Sequence, residues 1–253
     1  MLNIRTSKTD TPSPTFVEAE RKRGDNLAWI EPHLRGDDVT HLLLLGGVGP
    51  VDFRLRVAQS HARADLTPSH WSHVALLGAR SEQLGNTPIF EISLTPENGF
   101  GYPPPTNAVQ QSTLKRYRNV RRYPNIAIIR VPVPLAEVQG HLKRFVGQRA
   151  VLDALELLML WLSFVWGVNR AGNPLLEGHG IPSATMIEYV VAAAGFDLTP
   201  GLASRSSCPE ALWQSARWWH EFYGGDSQGK TLEGAWCLTH FLSAEYDQQP
   251  LSL

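Results

Sequence analysis

The chain has 253 residues, of which 43% are hydrophobic and 19% are charged. This length is enough for a sizeable core and favours one large domain, or one domain with extensions. The 23 Lys and Arg residues nearly balance the 24 Asp and Glu residues, so the charge does not favour nucleic acid as a partner. Cys208 and Cys237 form no CxxC pair, so the sequence favours neither a structural zinc site nor a disulfide scaffold.

The first residues are polar. Residues 1–15 are rich in Thr, Ser, Pro and charged residues, which predicts a flexible tail before a single domain over 16–253. The segment Met1–Lys8 lacks the apolar run of a secretory signal peptide. We therefore expect a cytoplasmic protein, unless a route without a cleaved leader exports it.

Short strands dominate the first half of the chain. Phe16–Ile30 fits a short helix, and Val51–Asp65 has the mixed polarity of a helix or an irregular excursion. Asn125–Val131 is the clearest strand because it is rich in β-branched residues and lies between two prolines. The other strand candidates are Thr40–Leu45, Ser72–Gly78 and Pro88–Ser93, and Pro96–Thr106 is typical of a loop.

Helical patterns dominate the second half. Leu135–Val146 is amphipathic, and Pro182–Ala194 is expected to form a buried helix that Gly195 ends. A further helix should run from Pro209 to about Tyr223, with proline in its first turn. Thr231–Ser243 fits a last strand or a short helix. Strands followed by helices predict an α+β fold.

The helix predicted over Val151–Val168 is apolar almost all the way round. Its uncharged run of about 12 residues is shorter than the roughly 20 residues needed to span a bilayer. A buried core helix is therefore favoured. Two alternatives stay open: an apolar wall for an acyl chain, and a surface that makes peripheral contact with a membrane.

Three residues have the chemistry of covalent acyl transfer. His73 lies in one predicted strand and Glu91 in the next, so antiparallel pairing would let the carboxylate orient the imidazole. Ser183 begins a predicted helix, where backbone N–H groups and the helix dipole favour an oxyanion. Together they fit the roles of base, orienting group and nucleophile.

These elements resemble the circularly permuted branch of the NlpC-like papain-fold superfamily, which includes relatives similar to lecithin:retinol acyltransferase. In that branch the histidine strand precedes the nucleophile helix, as it does here. The resemblance covers roughly residues 35–220. The segments that carry it are Gly36-Asp37, Ser72-His73-Val74, Glu91, Ser183–Tyr189 and the helix end at Ala194-Gly195.

The resemblance implies a papain-like fold in which a small antiparallel β-barrel or sheet packs against helices. It also implies a cysteine-type hydrolase or acyltransferase that cleaves an amide or (thio)ester bond through a covalent acyl-enzyme. Ser183 falls on the cysteine position, with His73 as base and Glu91 as third polar residue. The substrate would be peptide-like or an acyl or lipid group, and no metal or organic cofactor is required.

The serine departs from the family pattern. A thiolate is available near neutral pH, whereas a serine hydroxyl must lose its proton during the attack. Three explanations remain open. Ser183 is an engineered replacement of cysteine, or it is a natural serine nucleophile, or the protein is an inactive relative that binds a peptide or an acyl or lipid ligand.

Simpler roles compete with each assignment. Ser183 also fits a helix N-cap, His73 a core histidine and Glu91 a solvent-facing strand residue. The rival bases are His70 and His179, and Cys208, which precedes a helix, is the rival nucleophile. The basic stretch 115–123 fits a solvated face or turn better than a site for a nucleic acid or a lipid headgroup, although it also suits an anionic substrate group.

Overall fold

The structure is a computed structural model that describes residues 15–22, 24–34, 36, 38–95, 106–223 and 232–242. Its strands are β1 (Phe16–Glu18), β2 (Val39–Gly46), β3 (His73–Leu77), β4 (Pro88–Glu91), β5 (Gln110–Thr113), β6 (Asn125–Pro134) and β7 (Glu233–Cys237). They form one seven-stranded sheet within these residues, in the spatial order β1-β7-β6-β2-β3-β4-β5.

The sheet is mixed and open. β1 and β7 pair in parallel, which joins the two ends of the described chain, and the other neighbouring strands pair antiparallel. Across the described ranges, β1 and β5 form opposite edges and do not pair with each other. Of the expected small antiparallel barrel or sheet, the barrel is therefore wrong, and the sheet is mixed instead of purely antiparallel. The expected α+β class is confirmed.

Six α-helices are found in the described part of the chain. They are α1 (Asn26–Ile30), α2 (Pro50–Ala58), α3 (Leu135–Gly147), α4 (Ala154–Val165), α5 (Pro182–Ala193) and α6 (Pro209–Tyr223). The helices predicted in the second half of the sequence are confirmed. The apolar helix is α4, which is shorter than the predicted 151–168 at both ends. Asp153 caps its first turn, and Gly167, with a φ of +67°, follows its C-cap residue Trp166.

Each face of the sheet packs against its own core. Val74 and Leu76 pack with buried residues of α2 to α6, on what we call the five-helix face. Ala75 and Leu77 pack with α1 and with the 3₁₀ turn Leu114–Tyr117, on what we call the α1 face. Because both faces of the central strands are covered, β2 carries an unbroken run of buried leucines instead of an alternating pattern.

Two strands were not predicted. Phe16–Ile30 is not a helix: it divides into β1 and α1, because Gly24 has a φ of +102° and the Asp25 side chain caps the start of α1. β5 has the polar sequence Gln-Gln-Ser-Thr, which lacks the apolar alternation of a half-buried strand. Thr231–Ser243, which fitted either a strand or a helix, contains β7.

Some predictions lie outside the described residues. These are the predicted tail apart from Thr15, Asp37 of the Gly-Asp turn, and residues 96–105 of the predicted loop. Within the ranges that the structure describes, no helix is long and apolar enough to cross a membrane.

Candidate functional site

His73 and Glu91 form the centre of the candidate site. β3 and β4 pair antiparallel, with Leu76 opposite Phe90, so both polar side chains lie on the α1 face of the sheet. Nε2 of His73 lies 2.7 Å from Oε2 of Glu91. The contact predicted from strand alternation is therefore confirmed. It engages Nε2, so Nδ1 is the ring nitrogen that takes no part in this contact.

Glu91 is fully buried, and four side chains converge on its carboxylate. Oε2 accepts hydrogen bonds from His73 and from the hydroxyl of Tyr117. Oε1 accepts one from Ser112 at 3.1 Å and lies 3.1 Å from a guanidinium nitrogen of Arg116. Burying an ionised carboxylate without partners costs free energy, and this shell of four side chains offsets that cost.

The shell keeps Glu91 ionised. Burial by itself raises the pKa of Glu91, but the hydrogen bond and charge of His73, the charge of Arg116 and the hydroxyl of Tyr117 outweigh it. The net effect lowers the pKa of the carboxyl group below its ordinary value. Burial, and then the charge of Glu91, raise the pKa of Tyr117 well above its ordinary value, so the phenol remains a donor. The carboxylate can therefore fix the orientation of the His73 ring.

The hydroxyl of Ser183 lies between two strands. It donates a hydrogen bond to the carbonyl oxygen of Val74 and accepts one from the backbone N–H of Ile92 at 3.3 Å. Continuing the β3–β4 register by two residues on each strand places Val74 opposite Ile92. The hydroxyl therefore takes the place of a direct hydrogen bond between these two backbone groups.

Ser183 and His73 are not hydrogen-bonded to each other. α5 packs on the five-helix face, whereas strand alternation turns the His73 side chain to the α1 face. The Ser183 side chain is completely buried, and its hydrogen bonds are those to Val74 and Ile92. The structure thus brings His73 and Glu91 together. Ser183 instead bonds to the residues that follow them in the chain, Val74 and Ile92.

Ser183 is not a helix cap. Ile181 is the N-cap residue of α5, and Pro182 occupies the first helical position. Ser183 is therefore the second helical residue. Its backbone N–H lies in the first turn, where backbone N–H groups have no partner within the helix. The N-terminus of α5 retains the positive end of the helix dipole, although the serine side chain is engaged elsewhere.

The space beside His73 is small. A cavity of about 20 Å³ has His73, Asp52, Ser72, Tyr117 and Ile181 among its lining residues. This volume holds about one water molecule. Ile181, the N-cap residue of α5, lines this cavity, and Ser183 does not.

The rival residues lie elsewhere. Burial, followed by the charges of Arg63 and Arg56, lowers the pKa of His70 to about 4, and its ring packs edge-on against Phe241. Cys208 is buried, and burial raises the pKa of its thiol to about 12, which makes it a poor nucleophile. His179 lines a groove on α4 instead of the cavity beside His73.

The basic stretch 115–123 contributes to internal contacts. Arg116 lies on the Glu91 carboxylate, Arg118 pairs with Asp25, and the guanidinium of Arg122 lies 5.3 Å from the centre of the Tyr123 ring. Sequence reasoning missed the roles of Arg116, Tyr117 and Ser112. The basic stretch 115–123 was a signal for Arg116 and Tyr117, but it suggested an anionic substrate group instead of an internal carboxylate, and the polar edge strand that carries Ser112 has no distinctive pattern.

In the ranges that the structure covers, no group of three or more His, Cys, Asp or Glu side chains is arranged to hold a metal ion. Neither the models of known protein families, nor the curated proteins, nor the solved structures contain a match to this chain.

Proposed function

We propose that this protein is a circularly permuted papain-like module that binds a peptide or acyl ligand without cleaving it. The observation that carries the proposal is the engagement of the Ser183 hydroxyl with Val74 and Ile92. A serine nucleophile must hand its proton to a base as it attacks. Here the proton is directed at a backbone carbonyl, which cannot accept it.

The papain-like part of the proposal rests on the order of the elements. A strand with His73 comes first, its antiparallel neighbour supplies Glu91, and a later helix brings Ser183 to the same end of these strands. This order and the His73–Glu91 contact support the permuted arrangement. The open seven-stranded sheet is the feature that departs from the expected barrel.

A hydrolase is the second candidate, because the His73–Glu91 pair resembles a working base and its orienting group. An ionised, buried carboxylate held by Tyr117 and Arg116 is more elaborate than a core histidine needs. For activity, the Ser183 side chain would have to leave its two backbone hydrogen bonds and turn toward the imidazole. Breaking both would cost on the order of 2–3 kcal/mol.

The two candidates differ in the reactivity of position 183. In the variant Ser183→Cys, we expect iodoacetamide to label the new thiol no faster than it labels the buried Cys208 and Cys237. A thiol that His73 activates would instead react many times faster, and the variant Ser183→Cys with His73→Ala would lose that rate. Rapid labelling that depends on His73 would overturn the non-cleaving proposal. A urea titration of each variant checks that it is folded.

The chain as it stands provides a second readout. We expect no acyl group on Ser183 after the protein is incubated with an activated ester, such as a p-nitrophenyl ester. Mass spectrometry of the digested protein provides the measurement. An acyl adduct on Ser183 would establish a serine nucleophile directly.

A further inference from the structure

The segment that follows β7 is fixed to the start of β6. We call its five residues, Leu238–Leu242, the strap. The backbone N–H groups of Thr239 and His240 donate to Oδ1 of Asn125, at 3.0 and 2.9 Å. Nδ2 of Asn125 donates to the carbonyl oxygen of His240 at 2.8 Å. One completely buried asparagine therefore holds the strap against the sheet.

Arg56 on α2 is the second anchor of the strap. Its side chain is completely buried, and Nη2 donates to the carbonyl oxygen of His240 at 3.1 Å. Nη1 lies 2.9 Å from Nδ1 of the His240 ring. The other partners of the guanidinium are the carbonyl oxygens of Ser69 and Gly47, at 2.7 and 3.4 Å. Within the described ranges, this buried cation is held by carbonyl oxygens and one imidazole, and no carboxylate hydrogen-bonds to it.

The contact with Arg56 requires a neutral His240. Burial lowers the pKa of Arg56 to about 10, which still leaves the guanidinium charged at neutral pH. A charged guanidinium has donors only, so Nδ1 of His240 must accept and the ring proton must lie on Nε2. Burial, and then the charge of Arg56, lower the pKa of His240 below its ordinary value. A proton on Nδ1 would set two donors and two positive charges against each other.

The other charges near Arg56 act on it in opposite directions. Arg63 disfavours the charged guanidinium, whereas Asp52 and Glu210 favour it. Both carboxylates already have donors, because Asp52 accepts a hydrogen bond from Ser72 at 2.6 Å and Glu210 lies 3.3 Å from Arg63. Within the residues that the structure places, neither carboxylate hydrogen-bonds to the imidazole of the strap. A protonated ring would therefore gain no compensating partner from them.

His70 is the titratable side chain that packs on the other aromatic residue of the strap. Its ring lies edge-on to Phe241, with 5.4 Å between the ring centres. Burial and the two arginines lower the pKa of His70 to about 4, against the opposing charge of Asp65. His70 therefore stays largely neutral at pH 5.5, where a histidine with an ordinary pKa is mostly charged.

We propose that the strap is a pH-sensitive latch: it is closed on Asn125 and Arg56 while His240 is neutral, and it is released when His240 is protonated. The closed strap binds the proton less readily than the open strap. Closure is therefore fully favoured above about pH 6.5, the ordinary pKa of histidine, and this preference is lost as the pH falls below it. The latch does not involve Ser183, so it stands or falls separately from the proposed function.

The test is hydrogen–deuterium exchange of the full chain, read by mass spectrometry in the peptide that contains Thr239 and His240. Exchange rates are corrected for the intrinsic effect of pH. We expect the strap amides to exchange about three- to tenfold faster at pH 5.5 than at pH 7.5, tenfold being the limit that one histidine allows. The amides of β6 should keep their protection, because the opening is local.

His240→Asn is the matched variant. The amide oxygen of asparagine lies close to the position of Nδ1 in histidine, so it accepts from Arg56 but does not become protonated. We expect its strap exchange to be independent of pH. His240→Ala lacks the acceptor, and its strap should exchange faster than the wild type at pH 7.5. His61→Asn is the control, because it replaces an exposed histidine in the 3₁₀ turn Ser60–Ala62, and it should keep the full pH dependence.

Two results would contradict the latch. Equal corrected rates at pH 5.5 and 7.5 in the wild type would show that the strap does not respond to protonation. A pH dependence that persists in His240→Asn would assign the response to His70 instead.

A measurement on the wild type covers the case in which a variant does not fold. An NMR titration should give His240 a pKa below 6.5, with the proton of the neutral ring on Nε2. A pKa of 6.5 or more, or a neutral ring with its proton on Nδ1, would overturn the inference.

Discussion

The hydroxyl of Ser183 donates a hydrogen bond to the carbonyl oxygen of Val74, the residue that follows His73. It accepts another from the N–H of Ile92, the residue that follows Glu91. One side chain of α5 thereby bridges two strands at the point where their direct pairing ends. A residue at the start of a helix, where the sequence favoured a nucleophile, is instead a link between helix and sheet.

Removal of this bridge should destabilise the protein. Ser183→Ala leaves a buried carbonyl and a buried N–H without partners, so we expect the free energy of unfolding to fall by about 1–3 kcal/mol. Urea titration measures the change. Ser163→Ala is the matched control, because among the described residues that partly exposed hydroxyl bonds only to the carbonyl of Met159 one turn earlier. It should change the free energy of unfolding by less than about 0.5 kcal/mol. Equal effects of the two substitutions would show that the bridge contributes nothing.

The Tyr117 hydroxyl should stabilise the ionised Glu91. Tyr117→Phe removes one donor to a buried carboxylate, and we expect a loss of about 1–3 kcal/mol of unfolding free energy at pH 7. The loss should shrink in acid, where the carboxyl group is protonated and needs fewer donors. Tyr189→Phe is the control, since the Tyr189 hydroxyl makes no hydrogen bond within the part of the chain described here. A pH-independent loss would contradict the assigned role.

Glu188 should make the protein less stable as the pH rises. Burial raises the pKa of this carboxyl group on α5 to about 7, against the opposing effect of a hydrogen bond from Thr199. Because the folded pKa lies above the unfolded one, the folded state favours the protonated form, and this stability is fully present only below about pH 4.5. This stabilisation, on the order of 3 kcal/mol, is lost as the pH rises from about 4.5 to 7.

The variant Glu188→Gln tests this dependence. It cannot ionise, so it should be more stable than the wild type at pH 8 and should lose the advantage near pH 4.5. Urea midpoints measured across this range provide the comparison. Asp197→Asn, an exposed neighbour of Glu188 that raises its pKa, should give a much smaller change in the same direction. A Glu188→Gln advantage that is constant from pH 4.5 to 8 would rule out the raised pKa.

The native cysteines should be unreactive. Cys208 and Cys237 are free and buried, and burial raises the pKa of Cys208 to about 12. Labelling of either thiol by iodoacetamide should therefore require unfolding, and its rate should rise with urea in parallel with the loss of structure. Fast labelling of Cys208 in the native protein would contradict this prediction and would make Cys208 a candidate nucleophile again.

The His73–Glu91 contact was predictable because it depends on short-range regularities. Side-chain alternation and antiparallel pairing of neighbouring strands act over a separation of 18 positions, and both patterns are visible in the sequence. The polar shell of Glu91 was not predictable in the same way. Tyr117 and Arg116 reach the carboxylate from a 3₁₀ turn beyond an edge strand whose polar sequence resembles a loop.

The sequence by itself determined the α+β class, the order of strands before helices and the apolar character of α4, because each follows from the local spacing of apolar residues. Only the tertiary structure decided the partners of Ser183, which lie 109 and 91 residues away along the chain. It also decided the open sheet, in which β1 and β7 pair from opposite ends of the described chain. These outcomes depend on how helices and strands pack, which local patterns constrain only weakly.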